Sequence, residues 1–299
     1  MKKKIVIGSR GSLLALAQSE MIMKRLQKLF PDLEFKIKKI VTSGDKDLVS
    51  NWNNSNASLK SFFTKEIEVK LLNGTIDLAV HSMKDMPVVS PPGLICGAVP
   101  DREDPRDVIV SKSGKTLEEL PANAVVGTSS LRRTMNLKNL RSDVNIKQLR
   151  GNIHTRLNKL RNEDYDAILL AAAGLKRVGL QGEITQYLDP EKFLPAPAQG
   201  VLHIQCREND TEIKNILKAI HNEDIASVVR IEREFSKIFD GGCHTPMGCY
   251  SEVNGDMITF SGIYFDGDKG YSATVTEKLA DGIKVAQKLA DIIKEKING

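Results

Sequence analysis

The chain has 299 residues, 41% of them hydrophobic and 27% charged, which is enough apolar material for more than one core and excludes an intrinsically disordered chain. Lysine and arginine outnumber aspartate and glutamate by 43 to 38, and a net charge of +5 spread over this length is too mild to point to nucleic acid. Cys96, Cys206, Cys243 and Cys249 form no C-x-x-C pair and no zinc-type spacing with histidine, so no metal is expected and free thiols in a reducing cytoplasm are. The start, MKKKIVIGSR, lacks the apolar h-region of a signal peptide, and no stretch approaches a membrane span.

In chain order, Lys3–Ser9 reads as a buried strand. Ser12 stands where a helix cap is needed, and Leu13, Leu16, Ile22 and Leu26 keep helical spacing up to Pro31. Phe35–Thr42 reads as a strand. The stretch Ser43–Ser61 is polar, rich in Asn and Ser and long for an α/β connection, which predicts mobility. A helix over Lys65–Leu72 closes at Asn73 and Gly74, and IDLAVHSM (Ile76–Met83) is the next strand. Strand and helix alternate through residue 206, which predicts α/β units with largely parallel sheets. PAPAQG (Pro195–Gly200) reads as a crossing segment between domains, after which VLHIQC rejoins a sheet. From Asn222 a long helical pattern runs to Phe239; then come a Gly-Gly-Cys turn, the strands MITFSGIYF and YSATVTEK, and a helix over Asp281–Ile297.

Two pairs of segments echo each other. VIGSRGSLLALAQ from Val6 matches VVGTSSLRRTMNL from Val125, and TIDLAVHSMKD matches DYDAILLAAAGLKR, each of the second pair placing an acidic residue ahead of an apolar strand. The echo predicts two similar α/β domains followed by a small α+β domain.

Arg10, Arg132 and Arg133 lie just past predicted strand ends, where helix N-termini offer free N–H groups, and Thr128, Ser129 and Ser130 add hydroxyls. Arg150, Arg156 and Arg177 recur at comparable places, and a guanidinium fork suits a carboxylate or phosphate. Any one of these arginines read alone is equally a solvated charge; their repeated placement favours anion sites. No G-x-x-x-x-G-K-[ST] is present. Asp85 in HSMKD suits a general acid, a counter-charge to a developing cation, or a loop cap. Lys84 suits a Schiff base or a simple charge, and His81 a core histidine. Cys243, on a glycine-rich turn, suits a nucleophile, an attachment point or an inert thiol, whereas Cys96 and Cys206 sit in apolar runs and read as core.

Taken together and in order, GSRGS at Gly8, HSMKDMP at His81, GTSSLRR at Gly127, LRGNIHTRL at Leu149, YDAILLAAAGLKR at Tyr165, PAPAQG at Pro195 and GGCHTPMG at Gly241 resemble the successive motifs of the hydroxymethylbilane synthase family, also called porphobilinogen deaminases. The resemblance implies two α/β domains like the halves of a periplasmic binding protein, over 1–98 with 200–218 and over 99–199, and a cofactor-anchoring α+β domain over 219–299. It implies a dipyrromethane cofactor held as a thioether by Cys243, with no metal and no nucleotide. It implies condensation of four porphobilinogen molecules with loss of ammonia, then hydrolytic release of hydroxymethylbilane. Asp85 matches the family's catalytic aspartate. Ser82, Lys84, Thr128, Ser130, Arg132, Arg133, Arg150 and Arg156 match cofactor-binding positions; Arg10, Ser12, Arg150, Arg156 and Arg177 match substrate-binding ones, and Gln199 falls in the hinge. A monomer in the cytoplasm is the family expectation. The sequence departs from the pattern at Asn56, where NASLKSFF replaces a glycine-rich GGKGLF stretch, and after Cys243, where His244-Thr245-Pro246 replaces Gln-Val-Pro. Two readings from other classes compete: a non-catalytic anion-binding receptor or effector domain, and a redox thiol enzyme working through Cys243.

Overall fold

The computed structural model describes residues 3–42, 61–240 and 245–299. Most of the polar connection Ser43–Ser61, for which mobility is expected, and Cys243 lie outside the described residues. The chain divides into two compact units, one of residues 1–102 with 201–226 and one of residues 103–200 with 227–299.

The first unit opens with β1 (Lys4–Arg10), α1 (Leu13–Leu29), β2 (Glu34–Ile40), α2 (Ser61–Leu72), β3 (Leu78–Ser82) and β4 (Leu94–Ala98). The chain then enters the second unit with β5 (Asp107–Ser111), β6 (Val125–Gly127), α3 (Leu131–Leu140), β7 (Asn145–Lys147), α4 (Ile153–Asn162), β8 (Ala167–Ala171), α5 (Ala172–Arg177) and β9 (Gln186–Tyr187). It returns to the first unit with β10 (Leu202–Arg207) and α6 (Thr211–Lys218). Then follow α7 (Glu223–Ile238), the hairpin strands β11 (Met247–Asn254), β12 (Met257–Asp266) and β13 (Lys269–Lys278), and α8 (Ile283–Asn298). Among the described residues no helix is long and apolar enough to cross a membrane.

The echo in the sequence is an echo in topology. The first sheet runs β2-β1-β3-β10-β4 and the second β7-β6-β8-β5-β9, and the two orders correspond strand for strand. In each, the first three strands are parallel and the fourth runs antiparallel to both its neighbours. The largely parallel sheets expected from the strand–helix alternation are therefore mixed. The reason lies in the crossings. β5 and β10 are each reached only after the chain has come from the other unit, and β10 enters beside the C-terminal end of β3, Leu202 opposite Ser82, so it has to run back down the sheet.

The duplicated acidic residues explain why the echo survives. The Asp77 N–H donates to the Val6 carbonyl at 2.8 Å while the Val6 N–H donates to Asp77 Oδ2 at 2.8 Å. Asp166 and Val125 repeat this reciprocal pair at 2.8 and 2.7 Å. The glycine two residues beyond each valine packs against the residue before each aspartate: a Cβ on Gly8 would fall 2.3 Å from Ile76 Cδ1, and one on Gly127 2.9 Å from Tyr165 Cδ1.

In the first unit α1 covers one sheet face through Ile22 and Leu26, which join Ile5, Ile7, Leu78, Val80, Leu202 and Ile204 in one core. Leu13, expected on that face, is instead 57% exposed as the first residue of its helix. Cys206 is buried as expected. Cys96 is not; it lies exposed on β4, which forms the sheet edge, where an apolar run is covered on fewer sides than in a central strand.

The antiparallel meander β11–β13 packs its inner face on α8 and α7, with Phe235 and Phe260 edge to face at 5.6 Å. A Cβ on Gly262 would lie 2.6 Å from the Phe235 ring, so the helix approaches the strand only because that residue is glycine. β11 docks on the crossing segment: the Cys249 N–H donates to the Pro195 carbonyl at 2.9 Å, and Gly248 lies where a Cβ would meet the Leu194 carbonyl at 2.6 Å.

Replacing Asp166 by Ala leaves the Val125 N–H without its acceptor. Asp166→Ala is expected to lower stability by about 1–2 kcal/mol, read as a lower urea midpoint at unchanged slope.

Candidate cofactor and substrate site

In the first unit the predicted residues gather at the C-terminal ends of β1 and β3. Arg10 is the last residue of β1, and Ser12 caps α1 by accepting the Ala15 N–H at 3.3 Å. Ser82 ends β3 and accepts from Gln18 Nε2 at 3.0 Å. A single 3-10 turn, Met83–Asp85, follows, with Lys84 half-buried and Asp85 exposed. Among the described residues nothing donates to the Asp85 carboxylate, which leaves it available to a cation.

Behind this turn lies His81, 8% exposed, with Nε2 buried and lacking a hydrogen-bond partner. Burial pushes its pKa down to about 4, with Gln205 alongside opposing the shift and the nearby Arg10 cation adding to it. His81 is therefore a core histidine held neutral.

In the second unit Thr128 follows β6, and its Oγ1 accepts the Ser130 N–H at 3.1 Å; Ser130 caps α3 by accepting the Arg133 N–H at 3.5 Å. Ser129 Oγ donates to the Leu149 carbonyl at 2.9 Å and accepts the Leu149 N–H at 3.1 Å. That reciprocal pair of hydrogen bonds holds the backbone just before Arg150 against the residue two positions ahead of α3. Arg156 leans back on the same loop, its Nε donating to the Gly151 carbonyl at 2.8 Å.

Arg132 and Arg133 point inward, each 6% exposed, and meet at Asp107, which has no exposed surface. Arg132 Nη1 donates to Asp107 Oδ2 at 2.6 Å and to the Leu194 carbonyl at 2.7 Å. Arg133 donates to Asp107 Oδ1 through Nε at 3.0 Å and Nη2 at 2.7 Å, and through Nη1 to the Leu169 carbonyl at 3.0 Å. Gln199, fully buried, donates through Nε2 to Asp107 Oδ1 at 3.1 Å and to the Pro105 carbonyl at 2.7 Å. Two guanidiniums against one carboxylate leave this group one net positive charge.

Arg177 donates through Nη2 to the Gly200 carbonyl, and its buried Nε has no partner. Burial lowers its pKa to about 10, opposed by Glu103, so it is a cation at neutral pH. Gly200 has φ of +88°, and a Cβ there would fall 2.2 Å from the Glu103 carbonyl oxygen.

Cys243 itself is outside the described residues. Of the described residues on either side, Thr245 Oγ1 donates to the Asp240 carbonyl at 3.3 Å, and β11 begins four positions after the cysteine.

A family model described as porphobilinogen deaminase, dipyromethane cofactor binding domain, matches residues 5–215, and a second, porphobilinogen deaminase, C-terminal domain, matches residues 226–297. The chain belongs to the porphobilinogen deaminase family. A porphobilinogen deaminase of Fusobacterium nucleatum subsp. nucleatum is 69% identical over 297 residues, covering 99% of both chains. One of Bacillus subtilis is 45% identical over 300 residues, covering 99% of this chain and 94% of its own. Among solved structures, the VFT2 domain of Bordetella pertussis BvgS aligns at 16% identity and a TM-score of 0.43 over 76% of this chain and 92% of its own, a likeness that adds nothing to the fold described above.

The residues present fit the dipyrromethane cofactor of the family. Its acetate and propionate groups need cationic and N–H donors, and the second unit offers the positively charged Asp107 group, a buried Arg177 Nε without a partner, and two helix starts, one capped by the Ser130 hydroxyl and the other by the Asn152 side-chain amide oxygen. His81 is the core histidine the sequence suggested; Asp107 has no such signal, because it sits in the acidic and basic run DREDPRD, where nothing marks which charge will be buried.

Asp107→Asn leaves two buried guanidiniums facing a neutral amide and is expected to cost about 3–5 kcal/mol in urea unfolding. His81 gives a second test. Its pKa is lower folded than unfolded, so the stability it contributes is intact above pH 6.5 and is lost as pH falls toward 4. The wild type is expected to lose about 3 kcal/mol more than His81→Gln over that range, measured by urea unfolding at each pH.

Proposed function

We propose that the chain joins four porphobilinogen molecules, with loss of ammonia at each step, onto a dipyrromethane primer carried by Cys243, and releases hydroxymethylbilane by hydrolysis. The cofactor supplies a pyrrole with a free α-carbon as the first nucleophile; the rest of the chemistry falls to the protein. When the aminomethyl C–N bond of porphobilinogen breaks with the amine in its ammonium form, the electron pair leaves with nitrogen, which departs as ammonia, and the positive charge passes to the pyrrole and its methylene carbon. The Asp85 carboxylate, exposed and uncommitted, stabilises that cation and then takes up the α-proton displaced as the new C–C bond forms. Lys84, Arg10 and the Ser12 and Ser82 hydroxyls hold substrate and primer carboxylates in the first unit. Thr128, Ser130, Arg132, Arg133, Arg150, Arg156 and Arg177 do so in the second.

What carries the reading is the seating of β11. The Leu194 carbonyl receives Arg132 and the next carbonyl, of Pro195, receives Cys249, so the strand that begins four positions after Cys243 is tied one residue away from the Asp107 group. An anchor and a carboxylate clamp belong together only if the anchored group is an anion. The same reading assigns Gln199 to the hinge and divides the chain into functional domains over 1–98 with 200–218, 99–199 and 219–299. It makes the protein a cytoplasmic monomer. A bare receptor domain has no use for the anchor, and the family relationship does not favour it.

Intact mass decides the anchor. The purified wild type is expected to carry a covalent dipyrrole, and Cys243→Ser to be bare and inactive; an adduct mapped to Cys206 or Cys249 would refute the assignment. Asp85→Asn is expected to keep the adduct while porphobilinogen turnover falls roughly 10²–10³-fold. Turnover near that of the wild type would remove Asp85 from the chemistry.

A further inference from the structure

β10 does more than complete a sheet. Its register sets His203 opposite His81 and Gln205 opposite Ala79, so His203 and Gln205 share a face. All three polar side chains are buried, and the two imidazoles meet edge to face with centroids 6.1 Å apart. On this face His203 Nδ1 lies 3.4 Å from the thioether sulfur of Met83.

Met83 is the first residue of the turn that carries Asp85. Its main-chain N–H donates to the Val201 carbonyl at 2.9 Å, and its carbonyl accepts the Met86 N–H at 3.1 Å, which closes the turn. Both the backbone and the side chain of Met83 are therefore bound to the start of β10, two positions before the catalytic carboxylate. We propose that His203 is a positioning residue for the Met83–Asp85 turn: its Nδ1–H donates to Met83 Sδ and fixes the direction in which Asp85 is presented.

A methionine side chain has three rotatable bonds and fills space without selecting one conformation; a hydrogen bond to its sulfur selects one. The bond requires the Nδ1-protonated tautomer of His203. Val201 follows directly on Gly200, where the chain leaves the second unit, so the strand emerging from the crossing segment is the one that holds the catalytic turn. A slide of β10 along its axis reaches Asp85 through two bonds to a single residue.

This inference rests on Asp85 being the catalytic carboxylate, and the test separates the two. In cofactor-bearing protein, Met83→Leu keeps the volume and removes the acceptor, and His203→Phe keeps the ring and removes the donor. Each is expected to lower kcat for porphobilinogen about fivefold, as for the loss of one hydrogen bond, with KM and the mass of the bound cofactor unchanged. The double variant is expected to lose no more than the worse single one, because both remove the same bond. Wild-type kcat in Met83→Leu, a change in KM in place of kcat, or losses that multiply in the double variant would overturn the proposal. If His203→Phe fails to fold in a urea titration, Met83→Leu decides alone. Asp85→Asn run alongside is the reference: if it stays active the catalytic reading fails, whereas an inactive Asp85→Asn beside an unaffected Met83→Leu removes only the positioning role.

Discussion

A carboxylate with no exposed surface is tolerable only when its lone pairs are met by donors, and at Asp107 the donors come from two arginines and a glutamine. Around that one contact the second unit takes its working shape. The start of β5, the first turn of α3 and the end of the crossing segment are held together by it, and the backbone carbonyls of Leu169 and Leu194 complete the two forks. Burying the two arginines against an internal acid fixes two long side chains that would otherwise be free, and leaves the group with one net positive charge.

The antiparallel fourth strand has a matching consequence in each sheet. Strands that enter from the other unit arrive at the end of the sheet where the parallel strands finish, so their first residues lie beside the C-terminal ends of those strands. Asp107 opens β5 and Val201 precedes β10 for this reason. In a sheet with only parallel strands those positions would belong to the opposite edge.

Much of the fold was legible because it was written twice. The Gly8 and Gly127 turns, the Asp77 and Asp166 strand starts and the serine caps at Ser12 and Ser130 are local devices whose residues act within a few positions or on an adjacent strand. Burial and direction were less accessible. Cys96 and Leu13 sit in apolar patterns that fit a core, yet one lies on an edge strand and the other at the first turn of its helix, and both facts depend on what fails to pack against them. The arginines read as candidate anion binders; that Arg132 and Arg133 meet Asp107, more than twenty residues earlier, is set by strand order. The polar pair His81 and His203 joins residues more than a hundred positions apart, beyond the reach of any periodic pattern.

Gly200 shows how a backbone position can speak for a side chain. Its carbonyl receives both the Glu103 N–H and the guanidinium of Arg177, and its left-handed conformation brings its α-carbon so close to Glu103 that no other amino acid fits. A change at this residue would displace the oxygen on which Arg177 rests. Such a variant would show its effect at Arg177, although residue 200 meets that side chain only through a backbone oxygen. The site of the change and the site of its effect would then be different places on the protein, and only the geometry of one carbonyl would reconcile them.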